Sequence, residues 1–353
     1  MKCIEFTNEK KYIKDFLSLP KNLYSRDDNM ENPKEVEKLL LGNHPVSSYV
    51  TLHKFVIYKE NKPAARFVIT VYPNTSEAYL GFYECINDDK VAAFLFENAI
   101  NYAKKIGVAK ITGPVDASFW MKYRMKINMF DRLPYTSEPY NKDYYLKQWQ
   151  DNGFKISEHY TSNLYEVLEV NESLYDNRYA AFKEKGYDII SPKPEDFDKV
   201  VSELYKLITK LYSDFPVYKN IKYDDFMQIF TDYRYIINMN MVKMAYYKNE
   251  AVGFFVSVPD YGNKVYHLNN PINLLKVLQT KKKPKRYVML YMGVDSAHTG
   301  LGKALAGSIM EELRKNKLPS IGALARDGKV TQKYGENHIE KQYEYVLLEA
   351  NLT

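Results

Sequence analysis

The hydrophobic and polar positions of the first half predict strands first, then a helix. Runs at 49–58 and 64–72 are rich in β-branched and aromatic residues. The turn-like 59–63 between them predicts a hairpin. A third run, 78–86, leads into a helix starting near Asn87, where Val91, Leu95, Ala99 and Ala103 recur every four residues and form one apolar stripe. Gly107 marks the end of that helix. A short strand ending in Thr112, Gly113 and Pro114, a long aromatic stretch, and a strand running from Gly153-Phe154 through Val167 complete this half. A β-type opening and a polar helical region up to about Leu41 precede it.

The second half repeats the order. A β-type run at 187–190 is followed by helix-rich stretches at 195–212 and 223–233, then by strands at 241–247 and 251–258 around a turn at 248–250. The apolar run 287–294 enters a loop and a second helix, in which Leu301, Leu305, Ile309 and Leu313 keep the same four-residue beat. An offset of about 210 positions superposes the two helices and places Ile111 on Ile321 in the next strand. A fixed offset of pattern is what an internal duplication leaves. The polar stretch 169–185 reads as the linker, giving domains at 1–170 and 171–353 of mixed αβ (α+β) class.

Composition narrows the chemistry. The 353 residues, 45% of them apolar, suffice for two packed cores. No apolar run approaches the ~20 residues that span a bilayer, and the amino terminus has no leader-like core. The expectation is a cytoplasmic protein with no membrane partner. Cys3 and Cys85 cannot make a disulfide framework, and His44, His53, His159, His267, His298 and His338 show no paired-ligand spacing, so no metal is expected. The net charge of +6 suits phosphorylated ligands but is low for a dedicated nucleic-acid binder. The abundance of tyrosine, 33 residues, fits codon bias as well as function.

The sharpest feature is MGVDSAHTGLGKAL at 292–305, a strand that empties into a glycine-bearing loop and a helix. Free N–H groups and the helix dipole make such a terminus an anion site, and Gly300 and Gly302 let a diphosphate approach the backbone. An ordinary loop-to-helix junction has the same pattern. This strand–loop–helix resembles the acyl-CoA-binding motif of the GNAT superfamily of N-acetyltransferases, Q/R-x-x-G-x-G/A. Gly300 and Gly302 fill the small positions, and Ala297 stands where Gln or Arg is usual. The resemblance implies a cofactor-binding set of Met292, Val294, Ala297, His298, Thr299, Gly300, Leu301, Gly302 and Lys303, with acetyl-CoA as co-substrate. It also implies that Tyr334, seven residues after Asp327 where the family prefers Asn, protonates the departing thiolate. A packed tyrosine is the alternative. A backbone N–H near Met292 or Val294 is the implied carbonyl donor. Asp295, His298, Glu344 and a water chain all remain open as the base.

The first half resembles the same fold without its cofactor loop, since Asn87-Asp88-Asp89-Lys90 would repel a diphosphate. GFYEC at 81–85, Gly113-Pro114, PYNKDYY at 139–145, Gly153-Phe154, Pro259-Asp260 and Asn270-Pro271 resemble bacterial tandem-GNAT proteins, each domain a mostly antiparallel mixed sheet flanked by helices. Trp120, Tyr123, Tyr135, Tyr140, Tyr144, Tyr145 and Trp149 read either as the wall of an inter-domain groove or as packing. The run KKKPKR at 281–286 reads as an exposed turn or as help for phosphates. The expected activity is acyl transfer from acyl-CoA to a primary amine, on a small molecule or peptide. Alternatives are a Fem-like aminoacyl transferase using aminoacyl-tRNA, the one nucleic-acid partner considered, and an inactive acyl-CoA-binding protein.

Overall fold

The computed structural model describes residues 1–169 and 175–352. Its elements run in chain order as β1 (Lys2–Phe6), α1 (Lys10–Leu23), α2 (Pro33–Leu40), β2 (Thr51–Lys59), β3 (Lys62–Val71), β4 (Glu77–Cys85), α3 (Asp89–Lys105) and β5 (Lys110–Gly113). Three two-residue strands follow, β6 (Val115–Asp116), β7 (Lys122–Tyr123) and β8 (Met125–Lys126), then α4 (Tyr145–Asp151) and β9 (Lys155–Tyr165). The second series is α5 (Asp176–Glu184), β10 (Tyr187–Ile190), α6 (Phe197–Leu211), α7 (Tyr223–Phe230), β11 (Val242–Tyr247), β12 (Glu250–Pro259), α8 (Pro271–Lys282), β13 (Tyr287–Val294), α9 (Leu301–Lys315), β14 (Ser320–Arg326) and β15 (Ile339–Asn351).

Packing divides the chain into two units. The first holds residues 1–134, 139–159 and 344–353, and the second holds 135–138 and 160–343. The division is not the single cut at 170/171 that the sequence suggests. Within the first unit the strand order is β1-β2-β3-β4-β5-β15, antiparallel except for the parallel pair β4/β5. Within the second it is β10-β11-β12-β13-β14-β9, antiparallel except for the parallel pair β13/β14. The two sets of six strands have one topology. Each takes its sixth strand out of turn: the carboxyl-terminal strand completes the first unit, and the strand preceding the second unit's helices completes the second.

The duplication is visible residue by residue. Glu77, Ala78 and Tyr79 pair with Lys110, Ile111 and Thr112, while Tyr287, Val288 and Met289 pair with Ser320, Ile321 and Gly322. Every position is displaced by the 210 residues inferred from the helix stripes. Those stripes form the cores. Val91, Leu95, Ala99 and Ala103 are buried with Phe67, Leu80 and Ile111 in one unit. Leu301, Leu305, Ile309 and Leu313 are buried with Phe255, Met289 and Tyr165 in the other. Full burial stabilises by roughly 1.5–3 kcal/mol per large aliphatic side chain.

The structure decides three sequence readings. Residues 176–184, read as linker, form α5 with Phe182 buried, packed on α9; within the same reading, 170–174 lie outside the described residues. Residues 271–282 form α8, capped by the Asn270 side chain on Ile272 N–H with Pro271 at the first turn. The basic run 281–286 therefore opens on the helix end at Lys281 and Lys282, and residues 283–286 continue as the exposed turn that the sequence suggests. Lys281 Nζ donates to the Tyr235 carbonyl at 2.8 Å, and Arg286 Nε donates to Asp260 at 2.9 Å. For Tyr145 and Trp149 the packing alternative holds, because both are buried in the first unit's core against Tyr83 and Phe96.

Candidate functional site

In the second unit β13 and β14 pair only as far as Met289 and Gly322. Both strands continue, to Val294 and Arg326, without further pairing to each other. A parallel pair that parts midway opens a wedge with bare backbone along one strand edge. The outer edge of β13 stays pinned to β12, with Phe255 opposite Met292 and Gly253 opposite Val294. Tyr212 Oη donates to the Met292 carbonyl at 2.9 Å.

β13 then enters the loop 295–300. Asp295 N–H donates to the Val252 carbonyl (2.9 Å), and the Asp295 carboxylate accepts from Ala297 N–H (3.2 Å) and pairs with Lys210. Those two bonds, Lys210 first, hold the Asp295 carboxyl below its usual range. His298 Nδ1 lies 2.8 Å from Tyr187 Oη, and its ring stands edge-on to Tyr187 and Tyr247. Gly300 precedes α9 with φ 89°, the left-handed region that glycine enters without a Cβ penalty. It has no side chain to cap the helix; Leu301 N–H donates to the His298 carbonyl and Lys303 N–H to the Gly300 carbonyl, both at 3.2 Å, which leaves the Gly302 N–H of the first turn to solvent or a ligand. Ser296, Ala297, Thr299 and Gly300 are exposed, while Leu301 is buried in the core and Lys303 Nζ lies 5.6 Å from the Tyr175 ring centre.

Tyr334 comes to this helix from a distant part of the chain. A Cβ built on Gly302 would meet Tyr334 Oη at 2.6 Å and Met292 Cε at 3.1 Å. The tyrosine is fixed at both ends. Its carbonyl accepts from Tyr165 Oη at 2.7 Å, and its ring lies 5.7 Å from that of Tyr175. Tyr175 Oη in turn accepts from Gly335 N–H at 3.2 Å. Burial, and then Tyr175, hold the Tyr334 phenol above its ordinary pKa. Asp327 makes no approach of its own to this hydroxyl; its carboxylate accepts from Gln332 Nε2 at 2.5 Å.

The structure therefore brings Met292, Gly302 and Tyr334 together at the start of α9, with Val294 two residues further along β13. Ala297, His298, Thr299 and Gly300 form the loop rim. Among the base candidates, Asp295 and His298 lie on that rim, and Glu344 belongs to the first unit, where Asn128 and Ile127 bond its backbone. The sequence reading missed Tyr165, Tyr175, Tyr187, Lys210 and Tyr212. They come from β9, β10, α6 and the residues that flank α5 and α6, and no local spacing marked them.

The matching place in the first unit is closed. Asp88 caps α3, its Oδ1 accepting from Lys90 and Val91 N–H at 3.0 and 3.2 Å, and its other oxygen lies 2.6 Å from Lys59 Nζ. Past the last β4/β5 pair, Asp116 Oδ1 accepts from Phe82 N–H at 2.5 Å. Gly81 lies so close to this segment that a Cβ there would fall 1.9 Å from the Val115 carbonyl oxygen. Chain fills the space that the second unit leaves open.

Comparison with known proteins shows the same architecture. No family model matches the chain. Protein YghO of Escherichia coli K12 is 25% identical over 150 residues, which are 40% of this chain and 38% of that relative. A tandem GNAT protein from the clavulanic acid biosynthesis pathway superposes with a TM-score of 0.55 at 10% identity, covering 100% of this chain and 98% of that one. A GCN5-related N-acetyltransferase from Sphaerobacter thermophilus gives 0.51 at 10% identity, with 99% and 95% covered. The chain has the tandem GNAT fold.

Proposed function

We propose that the protein is an acyl-CoA-dependent N-acyltransferase whose second unit carries the reaction. The observation that supports this best is the placement of the Tyr334 hydroxyl over Gly302, at the foot of an uncapped helix and beside a parted strand pair. An acyl thioester with a diphosphate tail needs these three things: an anion site, a backbone edge for an extended amide-bearing arm, and a proton donor for the thiolate. When bound, acetyl-CoA or a longer acyl-CoA supplies an activated carbonyl carbon.

The residues divide the work. The Gly302 N–H at the start of α9, the rim Ala297, His298, Thr299 and Gly300, and the neighbouring Leu301 and Lys303 take the diphosphate. Met292 and Val294 present the β13 edge, whose backbone N–H groups hydrogen-bond the arm and polarise the carbonyl. A primary amine, shed of its proton, attacks the carbonyl carbon. The carbon–sulfur bond breaks, the sulfur takes its proton from Tyr334 Oη, and the nitrogen releases a proton as the amide forms, which through solvent restores the phenol. Burial favours the neutral phenol, so Tyr334 holds that proton until it is needed. The first unit, with Asp88 and Asp116 in the equivalent places, takes no acyl-CoA.

A thermal-shift titration tests the reading, using acetyl-CoA, CoA and a nucleotide control on the wild type and on Gly302→Glu. Ligand at a hundred times its dissociation constant stabilises by ~2.7 kcal/mol. A saturable shift with both CoA species that Gly302→Glu abolishes is expected, followed by amine-dependent thiol release. Absence of any shift removes the acyl-CoA reading.

A further inference from the structure

Five of the large exposed apolar side chains fall within eleven residues on and just before α8: Leu268, Ile272 (56% exposed), Leu274, Leu275 (60%) and Leu278 (54%). Val277 is the helix's one buried residue. At 3.6 residues per turn, Leu274, Leu278, Leu275 and Ile272 spread over about 160° of the circumference. A surface helix normally turns such an arc inward. Lys281, through its bonds to the Arg234 and Tyr235 carbonyls, and Val277 hold α8 so that the arc faces solvent instead.

The charge around it is one-sided. Residues 261–294 contain seven Lys or Arg and not one Asp or Glu, so this stretch alone contributes +7 to a chain of net +6. Arg286 is paired with Asp260, while Lys276, Lys282, Lys283 and Lys285 are exposed around the leucines. Leucines flanked by lysines on a short helix form the pattern that lies in a membrane interface, apolar face in the acyl boundary and ammonium groups among anionic headgroups. A second copy of the same face would bring these lysines against their own equivalents, which like-charge repulsion opposes.

We propose that α8 docks the protein on an anionic lipid surface, reversibly and without spanning it. This inference stands apart from the acyl-transfer reading and goes against the expectation of no membrane partner. No helix among the described residues is long and apolar enough to cross a bilayer. Ile272, Leu274, Leu275 and Leu278 enter the interface, and Lys276, Lys282, Lys283 and Lys285 supply the attraction to lipid phosphate.

The test is co-sedimentation of the full chain with vesicles of phosphatidylglycerol, of phosphatidylcholine, and of an equal mixture. Partitioning should rise with phosphatidylglycerol, by about tenfold or more between the two pure lipids, and fall as salt is added. Leu275→Gln with Leu278→Gln, and separately Lys282→Gln with Lys283→Gln, should each lower it by about tenfold or more while the unfolding midpoint holds. If the leucine variant fails to fold, the lysine variant and the salt titration decide. Equal binding to both pure lipids, full binding by the folded variants, or a self-association that the leucine variant abolishes would each overturn the proposal.

Discussion

The hydroxyl of Tyr334 stands where the side chain of residue 302 would begin: a Cβ on Gly302 would lie 2.6 Å from Tyr334 Oη. The two positions are far apart in sequence and meet because β14 returns beside β13 while β9 supplies Tyr165 to hold the Tyr334 carbonyl. The absence of a side chain at 302 therefore serves the tyrosine as well as any ligand at the helix terminus.

Tyr334→Phe should lower turnover by about 10²- to 10⁴-fold, the usual worth of a positioned general acid, with little change in CoA affinity. The pH dependence follows from the direction of the shift. Because burial holds the phenol above its ordinary value near 10, Tyr334 stays protonated through neutral and mildly alkaline pH. The ratio of wild-type to variant kcat should thus be flat from about pH 6 to 9 and shrink only beyond the phenol's ordinary range. A ratio that collapses near neutrality would assign the proton to another group.

Gly302→Ala separates stability from activity. The backbone at 302 is helical, and alanine is favoured over glycine there by up to about 1 kcal/mol. The new methyl must push aside Tyr334 Oη, which Tyr165 and Tyr175 keep from retreating freely. The helix gain offsets the cost of moving the tyrosine, so a nearly unchanged unfolding midpoint, together with a kcat reduced by about a hundredfold, is the expected pair of results. Steady-state kinetics and a thermal melt on one preparation check both.

Lys210 and Asp295 give a contrast of sign. Lys210 neutralises a carboxylate placed at the mouth of the proposed α9 anion site. Lys210→Ala should weaken CoA binding by a few-fold, about the worth of an exposed pair. Asp295→Asn removes the negative charge while its amide oxygen still accepts from Ala297 N–H, and should tighten binding by a similar factor. Isothermal titration of both variants reads the difference. Equal losses in both would mean that the pair shapes the loop rather than its charge.

The helices and strands that carry the site were legible because their apolar stripes are local. Leu301, Leu305, Ile309 and Leu313 announce α9 by spacing alone, and the offset that aligned them with α3 also set the register of Ile111 and Ile321. Tyr334 was reached through a spaced pair, Asp327 and Tyr334, although Asp327 spends its carboxylate on Gln332. What holds the tyrosine was not legible. Tyr165 and Tyr175 are two among 33 tyrosines, and only the chain's return brings them to Tyr334. α8 was missed because 271–282 carries no buried apolar stripe: Val277 alone is buried, and the other large apolar side chains lie on the solvent side. The strand exchange escaped notice for a related reason, since β9 and β15 carry no mark of which sheet they join.

That exchange makes the last prediction. A fragment of residues 171–353 contains every proposed site residue, yet it lacks Tyr160–Tyr165, which pair with β14 from Ser320 to Arg326. It also loses the Tyr165 Oη bond to the Tyr334 carbonyl and the Asn163 Nδ2 bond to the Gln332 carbonyl, at 2.7 and 2.9 Å. β14 would be left with an open edge at the point where the site depends on it. A fragment of residues 135–343 contains the whole second unit. It should unfold cooperatively and give a saturable shift with CoA, whereas 171–353 should melt broadly and give none. Cooperative melting and undiminished CoA binding by 171–353 would show that β9 is dispensable and that the unit folds from a single stretch after all.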